Sequence, residues 1–238
     1  MGGNGTTGAI YGELTMGSFQ RLVNYMKEEC GLTAQSRFID VGSGLGKPNF
    51  HVAQDPAVRV SIGAELELIR WQLAMKNLSD MTKQCSGAIG PETDGDDVNA
   101  PVQLHSSVYF LHMDIDITST LNPFTHIYMY DLGFPPDLQQ SIARKFNTSA
   151  YAEWFISYRP PHRVIGEYGY EVEFKHQMMT SMHGAGASSW RSCCRASHFT
   201  MFPSLFLSLQ GPGRATQCTF TSGPSRWSGR RPARPRWC

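Results

Sequence analysis

The feature that most constrains this chain is a glycine turn between a short apolar run and a helix-compatible one. Arg37-Phe38-Ile39-Asp40-Val41 breaks at Gly42-Ser43-Gly44-Leu45-Gly46, and Pro48 opens the segment that follows to Gln54. A short apolar run bounded by glycine reads as a strand. Proline suits a first helical turn, where its missing N–H has no intrahelical partner. Strand, glycine turn and helix in that order open a nucleotide-binding α/β unit, because glycine has no Cβ to hold a ligand away from the backbone. The spacing is G-x-G-x-G rather than G-x-G-x-x-G, so the turn alone does not select a cofactor.

Strand and helix signals alternate around this unit. Gly17 to Cys30 carries Phe19, Leu22, Val23 and Met26 at helical spacing and is closed by Gly31. Val58 to Ala64 is a second strand ending at Glu65, and Leu66 to Met81 a second helix bearing Leu66, Ile69, Leu73, Met75 and Leu78. Val108 to Met113 runs into Asp114, His126 to Tyr130 into Asp131, and helix Pro136 to Phe146 precedes strand Glu153 to Tyr158. Such alternation predicts an α/β fold with a mostly parallel, doubly wound, Rossmann-like sheet covered on both faces. Ligands in these sheets bind at the carboxyl ends of the strands. Asp40, Glu65, Asp114 and Asp131 each end a strand, so the four carboxylates are expected to line one crevice.

Charge divides the chain. Residues 1–183 hold all 20 acidic side chains and 13 Lys plus Arg, net −7, whereas residues 184–238 hold 8 Arg and no acid, net +8. This predicts a catalytic core over 1–183 and an Arg-, Ser- and Pro-rich tail over 184–238. The tail shows neither helical nor strand period and reads as disordered, apart from an apolar patch at Phe199 to Leu209; an out-of-frame reading of GC-rich DNA gives the same composition. Ser86 to Pro101, with Asp94, Asp96 and Asp97, reads as an exposed acidic loop rather than a metal site. The six cysteines form no C-x-x-C pair, so no metal is expected and a reducing compartment fits. The sequence offers neither a membrane span nor a secretory leader, which predicts a soluble intracellular protein. Met1-Gly2-Gly3-Asn4-Gly5-Thr6 fits the myristoylation pattern but also a flexible leader, and the sequons at Asn77 and Asn147 are read as coincidental.

The carboxylates narrow the ligand. Glu65 lies 19 positions beyond Gly46, where a carboxylate can accept both ribose hydroxyls, in a nicotinamide enzyme as much as in any other. Asp40 before the turn and Asp114 at the third strand end would repel a pyrophosphate. They suit a cationic amino-acid sulfonium with an adenine amino group, which makes S-adenosylmethionine the expected cofactor and a class I methyltransferase the expected fold. Lys47 at the helix start can meet the cofactor carboxylate, or stand as an exposed helix-start lysine.

At this point the residues resemble a particular family. Tyr11-Gly12-Glu13, Ser18-Phe19, Phe38 to Gly46, Gly63-Ala64-Glu65, Asp114, Leu132-Gly133-Phe134-Pro135-Pro136 and Ser157-Tyr158-Arg159-Pro160 look like the catalytic core of the disruptor-of-telomeric-silencing family. These are histone H3 lysine methyltransferases without a SET domain that act on nucleosomes, and the likeness, closest to protozoan members, spans residues 9–183. It implies that Glu13 and Thr15 belong to a loop closing over the methionine part of the cofactor. It implies that Asp40, Gly42, Ser43, Gly44, Gly46 and Lys47 hold the amino-acid end, that Glu65 takes the ribose, and that Asp114 pairs with the adenine amine. Tyr130, Asp131, Leu132 and Phe134 would form the catalytic channel for the target lysine, although ordinary packing beneath the sheet is the competing reading. A nuclear location follows from the substrate.

Departures from the family pattern accompany the likeness. Lys47 stands where many members have glutamine, and Tyr130-Asp131 where many have two asparagines; the second adds a negative charge near the target amine. The family's N-terminal helical region is absent, and its final antiparallel strand is not recognisable after Ser181-Met182-His183-Gly184. Two alternatives therefore stand beside the histone enzyme: a methyltransferase for another protein or a small molecule, and a catalytically impaired fragment that binds cofactor or chromatin. Arg226, Arg230, Arg231, Arg234 and Arg236 suit non-specific contact with DNA phosphates.

Overall fold

The computed structural model describes residues 14–87, 106–181 and 188–196, all within the first of the two units into which the chain divides, 1–200 and 201–238. Glu13, the Met1 to Thr6 motif, Asp94, Asp96 and Asp97, and the arginines from Arg214 onward lie outside the described residues. The first unit is built on a seven-stranded sheet. In chain order the elements are α1 (Met16–Glu29), β1 (Arg37–Val41), α2 (Lys47–Gln54), β2 (Val60–Glu65), α3 (Leu68–Gly87), β3 (Ser107–His112), β4 (His126–Met129), α4 (Pro136–Asn147), β5 (Trp154–Ser157), β6 (Val172–Ser181) and β7 (Ser188–Ala196). Short 3-10 turns at Ile115–Ile117 and Asp131–Gly133 follow β3 and β4.

The strands lie in the order β3-β2-β1-β4-β5-β7-β6. Pairings among β1 to β5 are parallel, while β7 runs antiparallel to both β5 and β6. The order reverses between β1 and β4, which places the crevice for a ligand beside the carboxyl end of β1.

Strand alternation explains how one sheet feeds two cores. Phe38, Tyr128, Trp154, Ile156 and Cys193 pack beneath α1 with Phe19, Leu22, Val23 and Met26. Their strand neighbours Ile39, Ile127, Met129, Phe155 and Cys194 pack on the other face with Ile142, Ala143 and Phe146 of α4. Both cores are dense in side chains less than 5 % exposed. At about 25 cal/mol per Å² of apolar area, such layers dominate the stability of the unit.

One sequence expectation is corrected here. The final antiparallel strand is present: β7 occupies Ser188–Ala196, inside the segment read as tail, so the core extends past residue 183. It escaped notice because its described inward residues are Cys193 and Cys194, whose small thiols give no strand pattern of branched or aromatic residues. Cys193 Sγ also lies 3.2 Å from Cys30 Sγ at the end of α1, joining the first described helix to the last described strand.

Helix α3 buries only part of its apolar set. Ile69 and Leu73 are 65 % and 43 % exposed, while Ala74 is fully buried and Trp71, Leu78 and Met81 pack inward with it against Phe50, Val108 and Phe110. The buried stripe is Trp71-Ala74-Leu78-Met81, at the same helical spacing but rotated, because the Trp71 indole donates to Phe110 O at 3.1 Å and orients the helix. At the sheet edge, Tyr109 and Leu111 of β3 are 54 % and 43 % exposed. The two sequon asparagines have structural work: Asn77 donates to Leu45 O, and Asn147 donates to Gly169 O while accepting from Glu171 N.

Candidate functional site

Strand β1 ends at a turn that must reverse direction above the sheet, and three of its glycines have positive φ: Gly42 at 78°, Gly44 at 55° and Gly46 at 82°. L-residues with a Cβ rarely adopt that region. Close packing adds a second demand. A Cβ on Gly42 would lie 2.9 Å from Phe134 Cζ, and one on Gly46 2.2 Å from Phe110 Cζ. Two of these glycines thus make room for the protein's own aromatic rings, a reason separate from ligand approach.

The turn's donors are turned inward. Gly42 N and Ser43 N both donate to Ala64 O, Gly46 N donates to Ser43 O, and Gly44 N donates to Glu65 Oε2 at 2.8 Å. A pyrophosphate cradle needs such N–H groups aimed at the ligand. Here they knit the turn to the end of β2 and leave carboxylates as the polar face of the site.

Those carboxylates line a cavity of about 600 Å³ at the strand ends. Asp40, Gly42, Ser43, Gly44 and Lys47 come from β1 and the turn, Glu65 from β2, and Asp114 from the residue that caps the 3-10 turn after β3. Glu65 is 5 % exposed and accepts from Gly44 N, from Glu67 N at 2.9 Å and from Arg70 Nε at 3.2 Å. Asp114 accepts from Asp116 N at 2.8 Å. Asp40 is 2 % exposed, and no donor among the described residues bonds its carboxylate. Burial, with Glu65 nearby, raises its pKa well above the usual carboxylate range. The Ser43 hydroxyl is likewise buried without a partner among the described residues. A buried acid and a buried hydroxyl, neither bonded among the described residues, mark a wall suited to a polar ligand.

The other half of the cavity is aromatic and apolar. Tyr130 and Phe134 of the segment after β4 stand in its wall, joined by Phe19, His51 and Tyr128. Tyr128 and Tyr158 share a hydrogen bond at 2.6 Å between their hydroxyls, and the Tyr130 ring meets Tyr158 edge-on at 4.4 Å. His51 pairs through Nε2 with Gln20 Oε1 at 2.6 Å, and burial lowers its pKa despite Asp55. Phe19, Tyr128 and His51 were missed as site residues. Their spacing reads as core, and only the packing of α1 against α2 and β4, with Phe19 edge-on to both His51 and Tyr128, brings them to the crevice.

Four assigned residues sit elsewhere. Asp131 is fully buried and outside the cavity wall, so three of the four strand-end carboxylates line the crevice rather than four. Its side chain turns under the site to the end of β5, where Ser157 Oγ and Tyr158 N donate to it. Leu132 also faces inward, packing with the core beneath α1. Thr15 caps α1, accepting from Ser18 N at 3.3 Å, while its neighbours Leu14 and Met16 reach the cavity. Gly46 caps α2 and lies behind the wall.

A parallel sheet with this strand order, an antiparallel β7 inserted before β6 and an acidic crevice at the switch point define the class I methyltransferase fold. Solved structures bear this out. Magnesium protoporphyrin IX methyltransferase from Synechocystis PCC 6803, with bound S-adenosylhomocysteine, superposes with a TM-score of 0.52 at 12% identity, covering 76% of this chain and 83% of that one. TrmK of M. capricolum, in complex with the same cofactor product, gives 0.50 at 7% identity over 78% and 70%. The N-methyltransferase NodS from Bradyrhizobium japonicum WM9 gives 0.51 at 11% identity over 75% and 96%. No curated protein matches the sequence. Residues 4–92 match the family model described as Histone methylation protein DOT1. That stretch holds the glycine turn, Asp40 and Glu65, and its match agrees with the likeness seen in the sequence.

Proposed function

We propose that this chain is an S-adenosylmethionine-dependent protein-lysine N-methyltransferase acting on histone H3 within nucleosomes, and hence in the nucleus. The observation that carries the cofactor is the buried Asp40, bonded by no donor among the described residues, beside a glycine turn whose Gly42, Ser43, Gly44 and Gly46 N–H groups are internally used. This arrangement suits an ammonium and disfavours a pyrophosphate. Asp40 would hold the amino group, Gly42, Ser43 and Gly44 the surface against the methionine part, Glu65 the ribose and Asp114 the adenine amine. Lys47 at the start of α2 would meet the cofactor carboxylate. The match over residues 4–92 supports the histone substrate.

S-adenosylmethionine, when bound, supplies an electrophilic methyl group. The chain's part is alignment and desolvation: Phe134, Tyr130 and Tyr128 give the acceptor an apolar wall in which loss of the lysine's proton is favoured, and no dedicated general base is required. Incubation with recombinant nucleosomes and methyl-labelled S-adenosylmethionine tests this reading. Label confined to an H3 lysine is expected, with Gly44→Arg abolishing both binding and transfer. Cofactor binding without transfer to any histone would leave a binding module, and binding of a nicotinamide dinucleotide instead would overturn the site.

A further inference from the structure

The cavity wall after β4 is held from behind by a buried charge. Asp131 is 0% exposed, and its carboxylate accepts three hydrogen bonds from two other elements. Ser157 Oγ donates to Oδ2 at 2.6 Å, Gln139 Nε2 to Oδ2 at 3.0 Å, and Tyr158 N to Oδ1 at 2.8 Å. Its backbone carbonyl also accepts from Phe134 N at 3.1 Å, closing the turn, and from Gln139 Nε2 at 3.2 Å. Arg159 holds the same turn from the outside, donating to Leu132 O at 2.7 Å. All three carboxylate partners donate to it and so favour the ionised form, while burial, the larger effect, raises its pKa.

This hub stands one residue from the wall it supports. Tyr130 and Phe134 flank the turn and line the cavity, while Asp131 and Leu132 face inward. The Phe134 ring in turn fills the space that a Gly42 side chain would take, so the placement of this segment reaches the glycine turn. We propose that Asp131 is a positioning residue: through Ser157, Gln139 and Tyr158 N it fixes Tyr130 and Phe134 as the wall that meets the acceptor, without touching the acceptor itself. This deepens the methyltransferase reading and rests on it for the identity of the acceptor. It also gives the acid a role other than a negative charge beside the target amine.

The test uses the full chain and two near-isosteric changes, Asp131→Asn and Ser157→Ala, followed by amide hydrogen exchange, S-adenosylhomocysteine affinity and nucleosome methylation. Both variants are expected to speed exchange of residues 131–136 about fivefold or more, leaving β1 and β2 within about twofold. S-adenosylhomocysteine affinity should stay within about threefold while the transfer rate at saturating cofactor falls about tenfold or more, a split that general loss of stability does not produce. Unchanged exchange in 131–136, exchange that rises equally in β1 and β2, or affinity that falls as far as transfer would each overturn the proposal. If the unaltered chain transfers no methyl group to nucleosomes, the methyltransferase reading of the substrate fails, and the exchange and affinity results still decide the role of Asp131.

Discussion

Gly44 donates its backbone N–H to the Glu65 carboxylate at 2.8 Å, tying the middle of the glycine turn to the end of the neighbouring strand. The same carboxylate gathers Glu67 N and the Arg70 guanidinium, so one side chain organises the turn, the start of α3 and a wall of the cavity. Structural and ligand-binding roles meet in it. Glu65→Ala leaves Gly44 N without its partner and is expected to lower stability by about 2 kcal/mol. Denaturant unfolding gives that number, and calorimetry with S-adenosylhomocysteine should show a larger loss of affinity in Glu65→Ala than in Glu65→Gln, which keeps an acceptor. Equal affinities would remove Glu65 from the ligand's contacts.

Gly46 has φ 82° and no room for a methyl group against Phe110. Gly46→Ala is expected to cost about 3 kcal/mol from backbone strain and overpacking together. Adding Phe110→Leu should recover part of that loss by relieving the clash but not the strain. Thermal unfolding of the two single variants and the double variant measures the coupling, and strict additivity would contradict the contact.

Asp40 carries a pH signature. Its folded pKa is raised, chiefly by burial and then by Glu65, above the ordinary value of 3.8. The folded chain therefore binds more protons than the unfolded one in that window. The stabilising contribution of Asp40 is fully present below 3.8 and is lost as pH rises through the folded value. A bound ammonium favours the ionised form, so cofactor affinity should increase with pH over the same range and binding should release a proton. Calorimetry in buffers of different ionisation enthalpy detects that proton. Asp40→Asn should abolish the release, and a pH-independent affinity in the unaltered chain would show that Asp40 does not meet a cation.

Strand β7 lies between β5 and β6 and contributes to both cores, through Cys193 on one face and Cys194 on the other. A chain ending at residue 183 would expose the edge of β5 and leave β6 unpaired. It is expected to lose cooperative unfolding, whereas one ending at residue 200 keeps it. Circular dichroism melts of the two fragments check this, and a cooperative transition in the shorter one would show that β7 is dispensable.

The parallel half of the sheet was legible in the sequence because its strands are short apolar runs, and β1 to β4 run into an acid or a glycine. Val60–Glu65 and His126–Met129 have little ambiguity of this kind. The antiparallel half was not. β6 alternates Glu173, Lys175 and Gln177 with residues of mixed character and carries a register shift between Phe174 and His176, while β7 offers serines and cysteines. Pairing with β5 and with each other, rather than intrinsic pattern, makes them strands.

The glycine turn and the strand-end acids came from the sequence alone, since positive φ and close approach leave a mark in residue type and a strand end leaves one in spacing. Which acids face the cavity did not. Asp40 and Asp131 have the same signature, a carboxylate closing an apolar run, yet Asp40 borders the cavity with no described donor and Asp131 lies beneath it with three. The direction of a side chain at a strand end is set by the donors the rest of the fold brings within reach. Those donors sit on α4 and β5, 8 to 27 residues away in sequence, and only the tertiary structure places them.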